Sequence, residues 1–393
     1  MKRKISLLLV LVLILSTLTN IAVAEEAVPI SAEAGNQVLE LSIDDAVKLA
    51  IESDRNMWKI DDQIKQMQDL RRQGSSDKDI AEQLMELPLS VSSELGITQG
   101  YLKLLLDKNG YSQKTGELKS AEIVKEKDKL LLEIEKGVKT IYYGILLAEK
   151  SIDINEAKLI KANEQLRVVN LKFNNGSATK AEVLSGEMAV QEARSALDSA
   201  VDSLNLAMLN LLNLLNLPFD KEVVLTDKDL TYVPTEEINL EEAIAKAKEK
   251  RLEILSAKND LELQKIETHA YKAYYTSNLR QHKYATEKLK DAELNVPQAY
   301  KTVELNVREN YLSLIKSERT LLNAEKTLEL AKESARINKL LYDNGMATTL
   351  DVLNADEKLA DAEIYRYKCL SDYNMVKFQF DNSHILKFTA GAY

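Results

Sequence analysis

Apolar residues recur every seven positions along two long stretches of the chain. Val138, Ile145, Ile152, Leu159, Leu166 and Phe173 mark the period in the first, and Val307, Leu314, Leu321, Leu328, Ala335 and Tyr342 mark it in the second. The positions between them are rich in Lys and Glu. A seven-residue period sustained this long predicts helices that supercoil with left-handed twist around neighbours. Each long helix is expected to run about 40–60 residues, roughly 60–90 Å. A helix of that length with an apolar stripe needs antiparallel neighbours to leave water. Each stretch stops at a short polar phrase, "FNNGSATKAEVL" from Phe173 and "YDNGMATTLDVL" from Tyr342. Beyond the first phrase the period resumes at Val183, Val190, Leu197, Leu204 and Leu211. A second seam there is built of small residues, Gly186, Ala193, Ala200 and Ala207, with Ala355, Ala362 and Cys369 after the second phrase. Small side chains let helix backbones approach closely, and Cys369 reads as a small apolar filler of that seam.

The two phrases encode their own turn. Asn175-Gly176 and Asn344-Gly345 suit a helix C-terminus, where Gly tolerates the left-handed conformation. Thr179 and Thr348 suit the next N-cap, and Glu182 and Asp351 three residues later complete a capping box or its Asp analogue. Each phrase is therefore a tight reversal between two long helices.

The repetition is larger than the phrases. An offset of 169 residues places Val138 on Val307, Tyr142 on Tyr311, Glu149 on Glu318 and Leu171 on Leu340 without a gap. A second pair, "LSIDDAVKLA" from Leu41 and "INLEEAIAKA" from Ile238, matches at an offset of 197. The 28-residue difference is extra sequence in the first copy, placed at about 70–112. The chain thus reads as a tandem duplication, with helical repeats at 39–217 and 238–386. Two Pro and several turn-forming residues make 218–237 a non-helical linker. Residues 387–393 form a tail, and the polar, unpatterned 25–38 reads as a disordered N-terminal extension.

Composition fits this picture and narrows the function. Among 393 residues only 12 Gly and 5 Pro interrupt helix formation, which favours an all-α fold of long antiparallel hairpins with little or no β. Residues 1–24 combine Lys2, Arg3 and Lys4 with the apolar run Leu7–Leu15 and the small-residue end "AVA" at Ala22–Ala24, the pattern of a secretory signal peptide. Its removal takes three positive charges and no negative ones, so the formal net charge moves from −10 to −13. An acidic exported chain is a poor partner for nucleic acid. One Cys cannot form an internal disulfide. His269, His282 and His384 are scattered without metal-ligand spacing. No phosphate-binding Gly-rich loop and no nucleophile motif appears. These features predict no catalytic residues, no metal and no cofactor, so no enzyme.

The doubled architecture resembles the TolC-type outer-membrane efflux proteins. The opening "LSIDDAVKLAIES", the two "NGxATxxxVL" phrases, and "LLNLLNLP" leading through a linker to "INLEEAIAKAKEKRLEI" carry the resemblance over nearly the whole mature chain. It implies a protomer of four helical strands in a homotrimeric tunnel whose tips meet an adaptor (membrane fusion) protein, which joins the duct to a pump in the inner or cytoplasmic membrane. The implied docking tips are Gly176, Ser177, Ala178 and Thr179 with Gly345, Met346, Ala347 and Thr348. Asp351 matches an aperture position that favours cations, and Asn354 stands where a second carboxylate occurs in the family. The family also inserts a β-hairpin into each repeat to build a membrane barrel. Here "LPLSVSSELGIT" from Leu87 alternates as one strand only, and "AYKAYYTSNLRQHKYATEKLKDAELNVPQAY" is charged and does not alternate. A transmembrane strand needs about 9–11 alternating residues, so the expectation is a relative without barrel hairpins. It would be placed in the outer membrane by resemblance, or on the outer face of a single-membrane cell. Tyr271, Tyr274, Tyr275 and Tyr284, with Tyr101 and Tyr111, are expected to pack at the helix ends. The competing reading is an exported coiled-coil scaffold of the envelope that conducts nothing.

Overall fold

The computed structural model describes residues 38–87, 100–235 and 238–388. The expected signal peptide, all but the last residue of the N-terminal extension, the strand-like run after Leu87 and the final five residues of the tail lie outside these.

The described chain is built almost entirely from helices. Strand β1 (Leu39–Leu41) leads into α1 (Ile43–Ser53) and α2 (Arg55–Met85). A short α3 (Tyr101–Lys108) precedes the 64-residue α4 (Tyr111–Asn174), and α5 (Lys180–Leu214) returns alongside it. After β2 (Val223–Leu225) the order recurs as α6 (Leu240–Lys250), α7 (Leu252–Tyr274), the 64-residue α8 (Arg280–Asp343) and α9 (Thr349–Asp381). The paired helices α4 and α8 have equal length, and so do α1 and α6, at 11 residues each. The extra sequence of the first copy lies in a longer α2 and in the connection that holds α3; the second copy reverses there in a few residues between Tyr274 and Arg280.

The long helices exceed the expected 40–60 residues. Their heptads begin at Val138 and Val307, but the helix continues upstream through charged sequence. There Gly74 of α2 lies against the backbone of Gln113, and Gly116 of α4 against that of Arg71, leaving no room for a β-carbon at either site. Pro297 sits inside α8 without ending it.

Two clusters make the core at mid-height. In the first, Ala46 and Ala50 of α1 pack on Val138, Tyr142 and Ile145 of α4 and Leu211 of α5. In the second, Ile244 and Ala247 of α6 pack on Val303, Val307 and Leu314 of α8 and Tyr373 of α9. The linker girdles both. β2 pairs in parallel with β1, Leu39 beside Val223. The Tyr142 hydroxyl donates to the Leu41 carbonyl at 3.1 Å and accepts from the Asp227 amide at 3.0 Å. Farther along, Glu318 accepts from the Tyr232 hydroxyl at 2.9 Å and the Thr235 amide at 2.8 Å. Burial together with the Glu318 carboxylate pushes the Tyr232 phenol up to about 12. Upstream along α8, Arg251, the cap between α6 and α7, is buried and holds the Leu386 carbonyl and Asn306.

Toward the two phrases, α4 lies between α5 and α9, and α9 lies between α4 and α8. Toward the opposite end the order is α2, α4, α7, α8. Helices α5 and α8 are thus the outer members of a four-helix layer and have no packed interface with each other. The seam inside the first hairpin departs from the sequence expectation. Val138 and Ile145 are buried, whereas Ile152, Leu159 and Leu166 are only half-buried and Phe173 is exposed. Beyond mid-height the buried line is Asn155, Ala162 and Val169, which keeps the seven-residue period three positions later. The small-residue seams at Gly186, Ala193 and Ala200 and at Ala355, Ala362 and Cys369 are buried as expected.

Candidate functional site

The two reversals stand at the same end of the molecule and share one construction. In the first, the Gly176 amide bonds to the Phe173 carbonyl at 2.9 Å and the Ser177 amide to the Lys172 carbonyl at 2.8 Å. In the second, Gly345 bonds to Tyr342 at 2.9 Å and Met346 to Leu341 at 2.8 Å. These are Schellman closures, and they require a left-handed residue. Gly176 supplies it at φ 71° and Gly345 at φ 75°. Nothing crowds either glycine, so backbone conformation alone selects the residue.

The following helices start on reciprocal caps. The Thr179 hydroxyl accepts from the Glu182 amide at 3.2 Å, and the Glu182 carboxylate accepts from the Thr179 amide at 2.6 Å. Thr348 and Asp351 repeat the pattern at 3.2 and 2.8 Å. Hydrogen bonds from the Thr179 amide and hydroxyl hold the Glu182 carboxyl below its usual range. The Thr348 hydroxyl and then its amide do the same for Asp351.

Ser177 and Met346 are exposed at the apices, Met346 by 70%, while Ala178 and Ala347 are half-buried beneath them. The expected tip residues are therefore brought together as two adjacent bends. Asp351 is exposed, but its carboxylate is already engaged by the cap of α9. Asn354, one turn on, lines a groove of about 320 Å³ between α4, α5 and α9. Lys161, Ala162, Met188 and Leu353 also line it.

Three contacts that the sequence did not reveal tie the hairpins to each other. The Lys172 ammonium donates to the Tyr342 hydroxyl at 2.9 Å and lies 4.0 Å from the centre of its ring. Burial pushes the Tyr342 phenol up, but the Lys172 hydrogen bond and charge outweigh it, and the net displacement is downward. Lower down, Lys158 meets Glu357 at 3.2 Å and Lys161 meets Asp356 at 2.9 Å. The available signal was the position of Tyr342, where the second phrase has a phenol in place of the Phe173 ring of the first.

At the opposite end Tyr101, Tyr271, Tyr274 and Tyr275 pack on one another, whereas Tyr284 departs from the expectation and is 54% exposed. Tyr274 meets Tyr275 edge-on at 4.7 Å and Tyr101 at 6.1 Å, and Tyr271 lies 5.7 Å from Tyr275. Among the described residues no group of His, Cys, Asp or Glu is placed to hold a metal. No helix of the described residues is long and apolar enough to cross a membrane.

No protein-family model and no curated protein matches the sequence. Solved structures do match the fold. The chain resembles CusC, described for its transmembrane channel formation, with a TM-score of 0.66 at 12% identity over 87% of this chain and 91% of that one. It resembles the outer membrane protein VceC of Vibrio cholerae with a TM-score of 0.64 at 13% identity, over 88% and 97% of the two chains. The CmeC outer membrane channel of Campylobacter jejuni follows at 0.60 and 12%, over 87% and 85%. The helical fold is that of the TolC-type outer-membrane channels.

Proposed function

We propose, with that fold as premise, that the chain is one stave of an efflux or export duct in the cell envelope. Three copies close a tunnel whose mouth is formed by the paired bends, and the duct takes its cargo from a membrane pump through an adaptor protein. The observation that carries this reading is a second apolar stripe on α8. Leu305, Leu312, Leu330 and Ile337 are exposed. They lie on the face opposite Val303, Val307, Leu314 and Leu321, which are fully buried. Helix α5 repeats the arrangement, with Leu184, Met188, Leu206 and Leu209 exposed opposite the small-residue seam. A helix apolar on two opposite faces is covered on both in its working state. Both helices sit at the edges of the four-helix layer, where lateral neighbours would join.

Within this reading Gly176, Ser177, Ala178 and Thr179, with Gly345, Met346, Ala347 and Thr348, form the adaptor-docking surface. Asp351 contributes one carboxylate per copy at the aperture, and Asn354 contributes a neutral amide, so the ring is less charged than a doubly acidic one. Export through a signal peptide and a seat in the outer membrane, or on the outer face of a single membrane, belong to the same proposal. So does the lack of catalysis.

Two measurements test it. Light scattering on the purified chain should give three times the protomer mass; a monomer at high concentration refutes the tunnel. The double variant Gly176→Val with Gly345→Val should retain its helical circular dichroism and lose adaptor co-purification and drug tolerance by about tenfold or more. Unchanged tolerance would favour an envelope scaffold.

A further inference from the structure

The outer edges of α5 and α8 can be compared height by height, because contacts inside the protomer set their registers. Gly186 on α5 lies against Leu166 on α4. The Lys172–Tyr342 and Lys161–Asp356 contacts set α8 and α9 against α4. Copies related by rotation about an axis along the rods present equal heights to each other.

In this register Leu184 and Met188 stand level with Leu340 and Ile337, to within about one helical turn. All four are exposed. Asp198 and Asp202 of α5 stand level with Lys326 and Arg319 of α8. These four are also exposed. Among the described residues, Asp198, Asp202 and Arg319 have no ion-pair partner, and Lys326 meets only Glu329 of its own helix. Below them, the exposed Leu206 and Leu209 stand level with the exposed Leu312. One edge therefore reads apolar, acidic, apolar, and the other apolar, basic, apolar.

We infer that these edges are the two halves of one head-to-tail interface between copies of this chain, with an ion-pair tier of Asp198 and Asp202 against Lys326 and Arg319 between two apolar tiers. The inference rests on the ring reading above and adds to it the register and the order of the copies. Apolar tiers alone would tolerate a slip along the rods. The charged tier opposes it, because a shift of two turns sets acid against Leu. The unlike edges also prevent two copies from pairing face to face by the same edge.

Charge reversal of the full-length chain tests the tier, with assembly followed by sedimentation and folding by circular dichroism. The double variant Arg319→Glu with Lys326→Glu should raise the concentration for half-assembly by about tenfold or more, and Asp198→Lys with Asp202→Lys should do the same. The chain carrying all four substitutions should recover most of the parent's assembly with itself. Either double variant assembling like the parent, or a quadruple variant no better than the doubles, overturns the tier. A ring indifferent to these reversals leaves the duct reading standing, whereas a monomeric parent sinks both.

Discussion

The inner heptad stripe of each long helix is sealed at mid-height and opens toward the bends. Val138, Tyr142 and Ile145 of α4, and Val307, Leu314 and Leu321 of α8, are all 0% exposed. About two to six turns closer to the bends, the same heptad positions, Leu159 and Leu166 of α4 and Leu328 and Ala335 of α8, are only half-buried, while the outer stripe of Leu330 and Ile337 is exposed there as Leu305 and Leu312 are at mid-height. The heptad spacing does not change along the way; what changes is the number of elements covering the helix. At mid-height α1, α6 and the linker wrap the hairpins, and near the bends each hairpin has only its own partner and the other hairpin. Apolar periodicity in a sequence therefore marks a surface that needs cover, without saying whether the cover comes from the same chain.

Truncation on both sides of that divide is the strongest test. Leu314→Ala should cost about 2–5 kcal/mol of protomer stability, as expected for a cavity in a packed core. Leu330→Ala should stay within about 0.5 kcal/mol in the protomer, as surface changes do, and act on assembly instead. Equal costs in denaturant unfolding would erase the distinction. The caps should give a smaller, local effect. Thr179→Ala or Thr348→Ala should cost about 1 kcal/mol, read as faster amide exchange in the first turn of α5 or α9 with an unchanged global midpoint. A drop in the global midpoint would show that the bends and the middle unfold as one unit.

The pH response should be smallest and should also divide by region. The Glu182 and Asp351 carboxyls are depressed by their caps, so the stability they add is present above their unfolded values and fades as pH falls through the folded ones. At the girdle, burial pushes Glu318 up, but hydrogen bonds from Thr235 and Tyr232 outweigh it and leave it below its ordinary 4.5. Its contribution is lost on the same acid side. Tyr232 works in the other direction: its raised phenol favours the folded chain below pH 10 and releases the linker as pH rises from 10 toward 12. Exchange of the linker amides against pH should loosen at both extremes, while amides near the bends should loosen only on the acid side, because the lowered Tyr342 phenol adds stability at alkaline pH as it ionises. Loosening of the bends at alkaline pH would contradict this assignment.

Much of this architecture was legible in the residues. The two "NGxAT" phrases gave the turns, the left-handed glycines and the caps, because each depends on contacts within six residues. The 169-residue offset gave two equal hairpins because duplication leaves a direct trace. The pairing of β1 with β2 was not legible: three-residue strands 184 positions apart carry no local signature. Nor was the girdle of Tyr142, Tyr232 and Glu318, since polar groups in a helical repeat read as surface until a distant loop covers them. Arg251 was misleading in the same way. It reads as one more cation in a charged helix, yet it is buried where α6 breaks to α7. The tip residues follow from resemblance alone; the groove at Asn354 and the Lys172–Tyr342 tie arise from helices far apart in the chain, which leave no local signature.

That tie has a mechanical corollary. Lys172, Lys158 and Lys161 link the first hairpin to the second, so a load on one bend is shared with the other. In a mouth assembled from three such chains, pulling on either bend of a chain would load both.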